Sequence, residues 1–596
     1  MSSFRAPVCD GTVRFLLVLC LLGSSVSRAQ EVPLLKTQWK FRTGDDPAWA
    51  QENLEESQWI RLEAGAPWED QGVGDYDGYA WYRQDVYVPA DLEEEAGKHG
   101  GLVLDLGRID DADMTFWNGA LLGSTGSMPP DDQSAYDRQR SYRIPLDAVR
   151  WGATNHIAVR VYDQGGGGGL TGGRYGLHPL GLPELVEIRG VFSRDDHLVL
   201  EPGPVRFRLE IHNQMAERLD GFLELRCRSD FGELHPVQTQ DVRVRPGRTE
   251  SLDVDLGPLE PGFYAVHAVL DDGSDSTAAD IAFGVRPGKI SSPADRPDDF
   301  MAYWDRARKE LAGIDPQYRL IRQDELCTAE REVYLLEMRS LGNVRIRGWY
   351  ARPVADGPHP AVLHLQGYSS TMTPGALYGE NDMVALGLNI RGHGNSRDHV
   401  DPGFPGYLLE HLEDPELYIY RGAYMDCLRA LDFLFSRSEV DTARVAVAGA
   451  SQGGALSIAT AALAPERVAL CLPAVPFLSD FPDYFRVADW PANEFRSYLE
   501  THPDVSRVDL FRTLGYVDIK NLAPWVKAPV FLGVGLKDAT CPPHINFAAY
   551  NLLSGRRQVT VYPEAGHALP SDFQERGIAW MRSQFGLEPG SGASGK

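Results

Sequence analysis

A serine between closely spaced glycines is the first feature of this sequence that suggests chemistry. The letters GASQG occupy residues 449–453, with Ser451 at their centre. An apolar run typical of a buried strand precedes them, and small residues that favour a helix follow. A strand-to-helix turn of this kind exposes the serine hydroxyl as a nucleophile, and the helix N-terminus favours a developing oxyanion. The surroundings, more than the short motif itself, therefore predict attack on a carbonyl carbon.

A serine hydroxyl becomes a good nucleophile only when a base takes its proton, and an acid usually orients that base. Two apolar strand-like runs later in the chain, residues 529–534 and 558–562, lead to Asp538 and His567 respectively. All three residues thus stand just after a predicted strand. The order serine, aspartate, histidine is that of the α/β-hydrolases. We therefore predict a catalytic triad of Ser451, Asp538 and His567.

Other residues compete for the acid and base roles. Asp480 follows another strand-like run, and Glu564 is close to the histidine in sequence, so either is an alternative acid. Asp538 is favoured because it ends the strand before the histidine's own strand. Among the other histidines, His364 lies within a predicted strand and His544 opens a predicted helix. Both are interpreted as structural.

An oxyanion hole needs two backbone N–H groups, one from the residue after the nucleophile and one from a loop after an earlier strand. Gln452 supplies the first. The letters LHLQGY at residues 363–368 end such a strand and point to the N–H of Tyr368 as the second. The alternative is that Gly367 and Tyr368 simply form a turn.

The elements that would position these residues change character near residue 297. After it, strand-like runs alternate with helical ones: strands are predicted at 361–365, 383–390 and 445–448, and helices at 298–311, 421–435 and 454–463. This alternation predicts a mostly parallel sheet covered by helices, with the chemistry at the carboxyl ends of the strands. We therefore predict an α/β-hydrolase domain over residues 287–590, followed by a flexible tail at 591–596.

Two all-β domains are predicted before the hydrolase domain. Residues 30–192 are rich in Trp, Tyr and Gly, and residues 193–286 continue the alternating pattern with fewer aromatics. The letters DGYAWYR and LGRIDDAD in the first stretch resemble the galactose-binding-like jelly roll found at the front of many glycosidases and sialate esterases. The second stretch is typical of an immunoglobulin-like sandwich. The glycine run at 165–169 is either a loop at a glycan site or a flexible connection.

Composition limits the partners and the location. The formal charge of −26, from 84 acidic and 58 basic residues, is unlike that of proteins that bind nucleic acid or anionic membranes. Residues 1–29 resemble an export signal with cleavage near Ala29, so we predict a secreted or periplasmic protein without a membrane anchor. An uncleaved signal anchor is the alternative. The five cysteines that remain are widely separated, which indicates neither a zinc site nor a disulfide-dense scaffold and leaves an isolated disulfide open.

The predicted hydrolase domain resembles the family of acetylxylan esterases and cephalosporin-C deacetylases, the seventh carbohydrate esterase family. The resemblance extends over nearly the whole domain and rests on six segments: QGY at 366–368, NIRGHG at 389–394, YRGAY at 420–424, GASQGG at 449–454, VPFLSDF at 475–481 and DATCPP at 538–543. It implies removal of acetyl groups from sugar hydroxyls, with Ser451, Asp538 and His567 at the triad positions. An acetylated carbohydrate is the expected partner, and no metal or organic cofactor is expected.

Two positions depart from the family pattern. His393 stands where the family usually has glutamine, and Ala568 stands where it often has glutamate. Neither change removes a triad member, but both bear on substrate preference. The two additional β-domains bear on the oligomeric state, which stays open. A prolyl-oligopeptidase-like serine peptidase is the alternative enzyme, although no β-propeller repeat of about 40 to 50 residues is present. A glycan-binding protein with an inert hydrolase domain is the alternative from another class.

Overall fold

The computed structural model describes residues 35–588 except 75, 131–132 and 377–380. The predicted export signal at 1–29 and the tail at 591–596 lie outside the described residues. Five β-sheets organise the described part of the chain. Among its helices, none has the length and apolar character needed to cross a membrane.

The first third of the chain is built from β-strands. They form a six-stranded sheet in the order β2-β1-β3-β8-β5-β6 and a three-stranded sheet in the order β7-β4-β9. Side chains of both sheets share one buried core, because alternate residues of each strand point inward. The elements are β1 (Gln38–Thr43), β2 (Ile60–Glu63), β3 (Gly78–Val88), α1 (Leu92–His99), β4 (Gly101–Asp110), β5 (Ala112–Trp117), β6 (Ala120–Thr125), β7 (Gln139–Pro145), β8 (Ala153–Asp163) and β9 (Gly169–Pro179).

A second pair of sheets follows, in the orders β10-β12-β15 and β11-β17-β16-β13-β14. Its elements are α2 (Leu182–Leu185), β10 (Val186–Val191), β11 (Leu198–Val199), β12 (Pro204–Asn213), β13 (Leu219–Ser229), β14 (Gln238–Val244), β15 (Arg248–Pro258), β16 (Gly262–Asp271) and β17 (Ser276–Val285). Strand β10 precedes the boundary predicted at residue 193, yet it pairs with β12 along its whole length. Strand β10 therefore belongs to a sheet of this second pair. The alternating pattern of a strand does not reveal which neighbour it pairs with.

The C-terminal half forms a mixed nine-stranded sheet in the order β18-β19-β20-β22-β21-β23-β24-β25-β26. In this order, neighbouring strands from β22 to β26 are parallel. The pairs β18–β19, β19–β20 and β20–β22 are antiparallel. The strands are β18 (Arg319–Arg322), β19 (Arg331–Arg339), β20 (Arg345–Pro353), β21 (His359–Leu365), β22 (Val384–Asn389), β23 (Val440–Ala450), β24 (Leu470–Ala474), β25 (Val530–Gly535) and β26 (Arg557–Tyr562).

Helices cover both faces of this sheet. Helix α5 packs against β23 and β24 within the main core, and α11 covers the other face with Met581 and Phe585. The helices are α3 (Phe300–Ala312), α4 (Ile419–Phe435), α5 (Gln452–Leu463), α6 (Phe481–Val487), α7 (Ala492–Thr501), α8 (Arg507–Val517), α9 (Ile519–Leu522), α10 (Pro543–Leu552) and α11 (Ser571–Phe585). The prediction of an extensive β-region followed by an α/β region is confirmed.

One crossover differs from the expected alternation. Strands β21 and β22 are parallel neighbours, and such strands are usually joined through a helix. The described residues between them, 366–376 and 381–383, contain only the short 3-10 turn Pro374–Ala376. The face of the sheet that α11 covers is therefore left open beside β21.

Candidate active site

Ser451 lies at the turn between β23 and α5. Its φ of 57° and ψ of −121° form a combination that residues with a side chain rarely adopt. Strain of this kind persists only where the surroundings hold it. Here the Ser451 N–H donates to the carbonyl of Ala474 at 2.9 Å, and the Ser451 carbonyl accepts from the N–H groups of Ala455 and Phe477. Strand β24 and the segment after it thus fix the turn.

The glycines around Ser451 are needed for close approach of backbones. A Cβ added at Gly453 would lie 2.0 Å from the carbonyl oxygen of Leu365, and one at Gly449 would lie 2.5 Å from the same atom. At Gly454 the added Cβ would lie 2.8 Å from the Ala474 carbonyl oxygen. The serine itself carries the strained dihedral angles, while the glycines allow the end of β21 to approach the first turn of α5.

Asp538 and His567 come together in the loops that follow β25 and β26. The Nδ1 atom of His567 lies 2.9 Å from Oδ2 of Asp538. The other carboxylate oxygen accepts the N–H groups of Thr540 at 2.9 Å and Cys541 at 2.8 Å. These bonds hold the carboxylate in one orientation, and the carboxylate in turn orients the imidazole. The Nε2 atom of His567 is left for proton transfer.

The alternative acids are engaged elsewhere. Asp480 accepts a hydrogen bond from the Lys520 ammonium at 2.9 Å. Glu564 accepts one from Lys537 at 2.6 Å. The alternative histidine His544 lies in α10, where it pairs with a carboxylate of the second β-unit at 2.7 Å. None of these three side chains takes the place of Asp538 or His567.

Cys541 lies beside the pair and was missed as a site residue in the sequence. Its Sγ atom is 4.0 Å from the Ser451 hydroxyl, and it also interacts with His567. Within the described residues, no hydrogen bond joins Ser451 directly to His567. Catalytic hydrogen bonds are often long or unformed in the absence of substrate, so the serine must turn toward His567. The position of Cys541 within the DATCPP segment was the available signal.

The surroundings of His567 stabilise the imidazolium that forms when the ring takes a proton. Burial alone would lower its pKa, but the neighbouring Cys541 and Asp538 outweigh burial, and the pKa of His567 is raised well above its usual value. Burial also raises the pKa of the Cys541 thiol, which is therefore neutral near pH 7. The negative charge that acts on His567 at that pH is the Asp538 carboxylate.

Gln452 connects the two predicted oxyanion donors. It is the first residue of α5, where backbone N–H groups have no partner within the helix. Its side-chain oxygen accepts from the Tyr420 hydroxyl at 2.6 Å, and its side-chain nitrogen donates to the Gly367 carbonyl at 3.2 Å. The residue after Gly367 is Tyr368, whose own hydroxyl donates to a carboxylate of α7 at 3.0 Å. The Gln452 amide thus ties the Tyr368 loop to the turn that carries Ser451.

His393, one of the two departures from the family pattern, contacts the side-chain amide of Gln452. Its Nε2 atom lies 3.1 Å from the side-chain nitrogen of Gln452. Because an amide nitrogen only donates, His393 accepts through Nε2 and carries its proton on Nδ1. Burial lowers the pKa of His393 to about 3. The imidazole is therefore neutral at any working pH and is not part of the exposed surface of the site.

A loop of the N-terminal β-region reaches the catalytic loops. The carboxylate of Asp137 would lie 2.7 Å from a Cβ added at Gly566, the residue before His567. Tyr136 is next to it, and burial raises its pKa, with the carboxylates of Asp137 and Asp538 acting in the same direction. No local pattern in the sequence points to these two residues, because only the packing of distant parts of the chain brings them to the site.

An apolar cavity of about 610 Å³ lies between α11 and the open face of the sheet. Its lining includes Ala448 and Leu472 of the sheet, Phe573 of α11, and the loop residues His567 and Ala568. The second departure from the family pattern, Ala568, therefore places a small apolar side chain at this cavity.

Known proteins match the C-terminal half of the chain. Residues 289–584 match a family model described as acetyl xylan esterase (AXE1). Acetyl esterase Axe7A of Xylanibacter ruminicola is 28% identical over 364 residues, which are 58% of this chain and 79% of that protein. Acetyl xylan esterase 1 from Thermoanaerobacterium sp. JW/SL YS485, a solved structure, is 31% identical and has a TM-score of 0.47, covering 50% of this chain and 98% of that one. The acetyl xylan esterase from Paenibacillus sp. R4 is 31% identical with a TM-score of 0.48 and the same coverage.

The fold and these sequence matches define a carboxylic ester hydrolase. The chain belongs to the acetyl xylan esterase family, as the six matching segments predicted.

Proposed function

We propose that the protein is a serine esterase that removes O-acetyl groups from sugars or polysaccharides. Ser451 is the nucleophile, His567 is the base, and Asp538 orients the base. The observation that carries the proposal is the strained serine at the N-terminus of α5 beside loops that already join His567 to Asp538. Membership in the family supplies the class of substrate.

The reaction proceeds by two acyl transfers. As the Ser451 oxygen attacks the acetyl carbonyl carbon, His567 takes the hydroxyl proton. The oxyanion accepts the N–H groups of Tyr368 and Gln452. The bond from the carbonyl carbon to the sugar oxygen then breaks, and His567 gives its proton to that oxygen. Water repeats the sequence on the acetyl-enzyme, which releases acetate and returns the proton to Ser451.

We also propose how the rest of the chain serves this reaction. Residues 1–29 direct export, with cleavage near Ala29, so that the enzyme acts outside the cytoplasm or in the periplasm. The first β-unit is a galactose-binding-like jelly roll and the second is an immunoglobulin-like sandwich. Sequencing the N-terminus of the mature protein tests the export proposal, which requires a start at or close to Gln30.

Acetate release from a panel of acetylated xylan, pectin, mannan and small acetylated sugars tests the proposed activity. Ser451→Ala is expected to abolish release. Ser457→Ala is the matched control, because Ser457 lies on the same helix and, among the described residues, its hydroxyl bonds only to the Gly453 carbonyl. It is expected to keep the activity. Acetate release at the wild-type rate in folded Ser451→Ala would rule out Ser451 as the nucleophile.

Labelling with a fluorophosphonate separates this function from its alternatives. The probe is expected to label Ser451 in the wild type and in Ser457→Ala. Labelling together with turnover of peptides, without acetate release, would favour a peptidase. A folded, unlabelled protein that binds polysaccharide would favour a glycan-binding role.

A further inference from the structure

Three carboxylates of the N-terminal β-region converge where β4 and β8 end. Asp110 is the last residue of β4, Asp111 follows it, and Asp163 is the last residue of β8. One oxygen from each lies within 4.8 Å of the others. Asp111 is 6% exposed and Asp163 is 1% exposed. Charges of one sign repel strongly at this spacing when water is excluded, so the group requires neutralisation.

Hydrogen bonds satisfy only part of this group. Asp111 accepts the N–H of Gln164 at 2.7 Å and the hydroxyl of Ser134. One oxygen of Asp163 accepts the N–H of Gly165 at 2.9 Å. The other, Oδ2, is buried and has no hydrogen-bond partner among the described residues. A buried carboxylate oxygen without a donor is costly, which indicates a missing positive partner.

No basic side chain in the described part of the chain forms an ion pair with these three carboxylates. The nearby Arg140 is paired with Asp113 at 2.9 Å. Its remaining N–H groups donate to the backbone carbonyls of Asp111, Ala135 and Arg138. The residues that the structure describes therefore supply no paired cation for this group.

The surroundings of Asp163 add oxygen ligands and space. Glu69 has one oxygen that accepts the N–H of Gly168 at 3.0 Å and another that is buried and has no hydrogen-bond partner in the part of the chain that the structure describes. A Cβ added at Gly168 would lie 2.6 Å from Oδ2 of Asp163 and 2.3 Å from the Trp68 ring. Glycine at this position in the run at 165–169 thus keeps a side chain away from the unpartnered oxygen.

We propose that Asp110, Asp111 and Asp163 bind a calcium ion. An all-oxygen ligand set without histidine or cysteine selects a hard cation. Mg²⁺ usually keeps several waters and is held by one or two carboxylates, whereas Ca²⁺ takes about six to eight oxygen ligands directly, so three carboxylates whose oxygens lie within 4.8 Å of one another suit Ca²⁺.

The proposed ion also bears on the active site. The N–H of Ala135 donates to the Asp111 carbonyl at 2.9 Å, next to the Ser134 hydroxyl bond. The two residues that follow, Tyr136 and Asp137, are those that reach the catalytic loops. An ion on Asp111 therefore holds the segment that packs beside Gly566. The binding proposal itself does not depend on the proposed esterase function.

A second group in the described residues serves as a contrast. Asp480, Asp483 and His544 also lie within 4.8 Å of one another. Lys520 pairs with Asp480 at 2.9 Å, and Arg486 pairs with Asp483 at 2.9 Å. Because the chain supplies its own cations there, that group does not require an ion.

Metal binding to the full-length protein, freed of metal with EDTA and desalted, tests the proposal. Calorimetric titration with CaCl₂ at pH 7.5 is expected to give one ion per chain, and saturating Ca²⁺ is expected to raise the unfolding midpoint by several degrees. Tb³⁺, a calcium substitute, is expected to show luminescence sensitised by Trp68. Asp163→Asn should lose all three responses. Glu94→Gln, on the exposed first turn of α1, is the matched control and should keep them.

The unfolding midpoint in EDTA separates loss of a ligand from misfolding. There Asp163→Asn is expected to unfold at or above the wild-type temperature, because the change removes one repelling charge and keeps the shape. The proposal is overturned if the wild type shows no Ca²⁺-dependent shift, or if Asp163→Asn binds Ca²⁺ like the wild type. Tighter binding of Mg²⁺ than of Ca²⁺ would overturn the assignment of the ion.

Discussion

Gly453→Ala tests whether the spacing between β21 and α5 sets the oxyanion hole. The added Cβ would lie 2.0 Å from the Leu365 carbonyl oxygen, 2.8 Å from its carbon and 3.1 Å from the Gln366 carbonyl oxygen. Real Cβ atoms stay beyond 3.0 Å, so the end of β21 and the first turn of α5 must separate by about 1 Å. Because the obstacle is backbone, no side-chain rotation relieves the clash.

Separation of β21 from α5 would move the two oxyanion donors apart and would leave the contacts of the catalytic triad in place. Leu365 and Gln366 lead directly to Tyr368, so the Tyr368 N–H retreats from the Gln452 N–H by about the same distance. Oxyanion donors work over about 2.7–3.1 Å, and loss of one donor costs about 10²–10³ in kcat. We therefore expect kcat to fall by about 10²–10³ with little change in KM, because the donors act mainly in the transition state.

Steady-state kinetics on an acetyl ester, with circular dichroism and the unfolding midpoint as checks of folding, measure this effect. Gly577→Ala in α11 is the matched control, because its added Cβ would lie 3.5 Å from Leu472 and 4.0 Å from Phe531, which is ordinary contact. It should keep kcat and gain about 0.5–1 kcal/mol of stability. A folded Gly453→Ala enzyme with kcat within about threefold of wild type would refute the reasoning.

Three further predictions follow from the contacts around the site. Asp538→Asn should lower kcat by about 10⁴. Because the Asp538 carboxylate helps to raise the pKa of His567, the acid limb of the kcat/KM profile should lie above pH ~6.5 in the wild type and at lower pH in the variant. An acid limb at the same pH in both proteins would contradict this. His393→Gln should keep kcat and the unfolding midpoint, because glutamine also offers an acceptor to the side-chain amide of Gln452. His393→Ala leaves that amide without its acceptor and should cost about 1–3 kcal/mol of stability. Equal unfolding midpoints in the two variants would contradict this. Burial alone would lower the pKa of His544, but the carboxylates of Asp230 and Asp483 outweigh burial and raise the pKa to about 9. These contacts therefore stabilise the fold fully below pH ~6.5 and lose this effect as the pH rises through about 9. His544→Gln should lower the unfolding midpoint at pH 6 and not at pH 10.

The sequence predicted those parts of the site that local patterns encode. The apolar runs before Ser451, Asp538 and His567 are strands because buried parallel strands are continuously apolar, and the loops after two of them bring Asp538 to His567 at 2.9 Å. The pattern did not show that the strain falls on the serine while the glycines serve close backbone approach. That distinction depends on the distance from Gly453 to β21.

What the sequence did not reveal depends on contacts between distant residues. Strand β10 has the same alternation whichever sheet it joins, so its pairing with β12 required the structure. Asp111 and Asp163 are far apart in the chain, and their carboxylates meet only because β4 and β8 end together. No residue spacing typical of a metal site predicted this group from the sequence. Tyr136 and Asp137 likewise reach the catalytic loops through the packing of two regions.

The contact between Asp137 and Gly566 restricts how the two halves of the chain can evolve. Any side chain larger than hydrogen at residue 566 would collide with the Asp137 carboxylate unless that carboxylate moved. A side chain at residue 566 therefore requires the Asp137 carboxylate to rotate away. A chimaera that joins the β-units of one relative to the hydrolase region of another would have to leave room for that rotation where residues 137 and 566 meet.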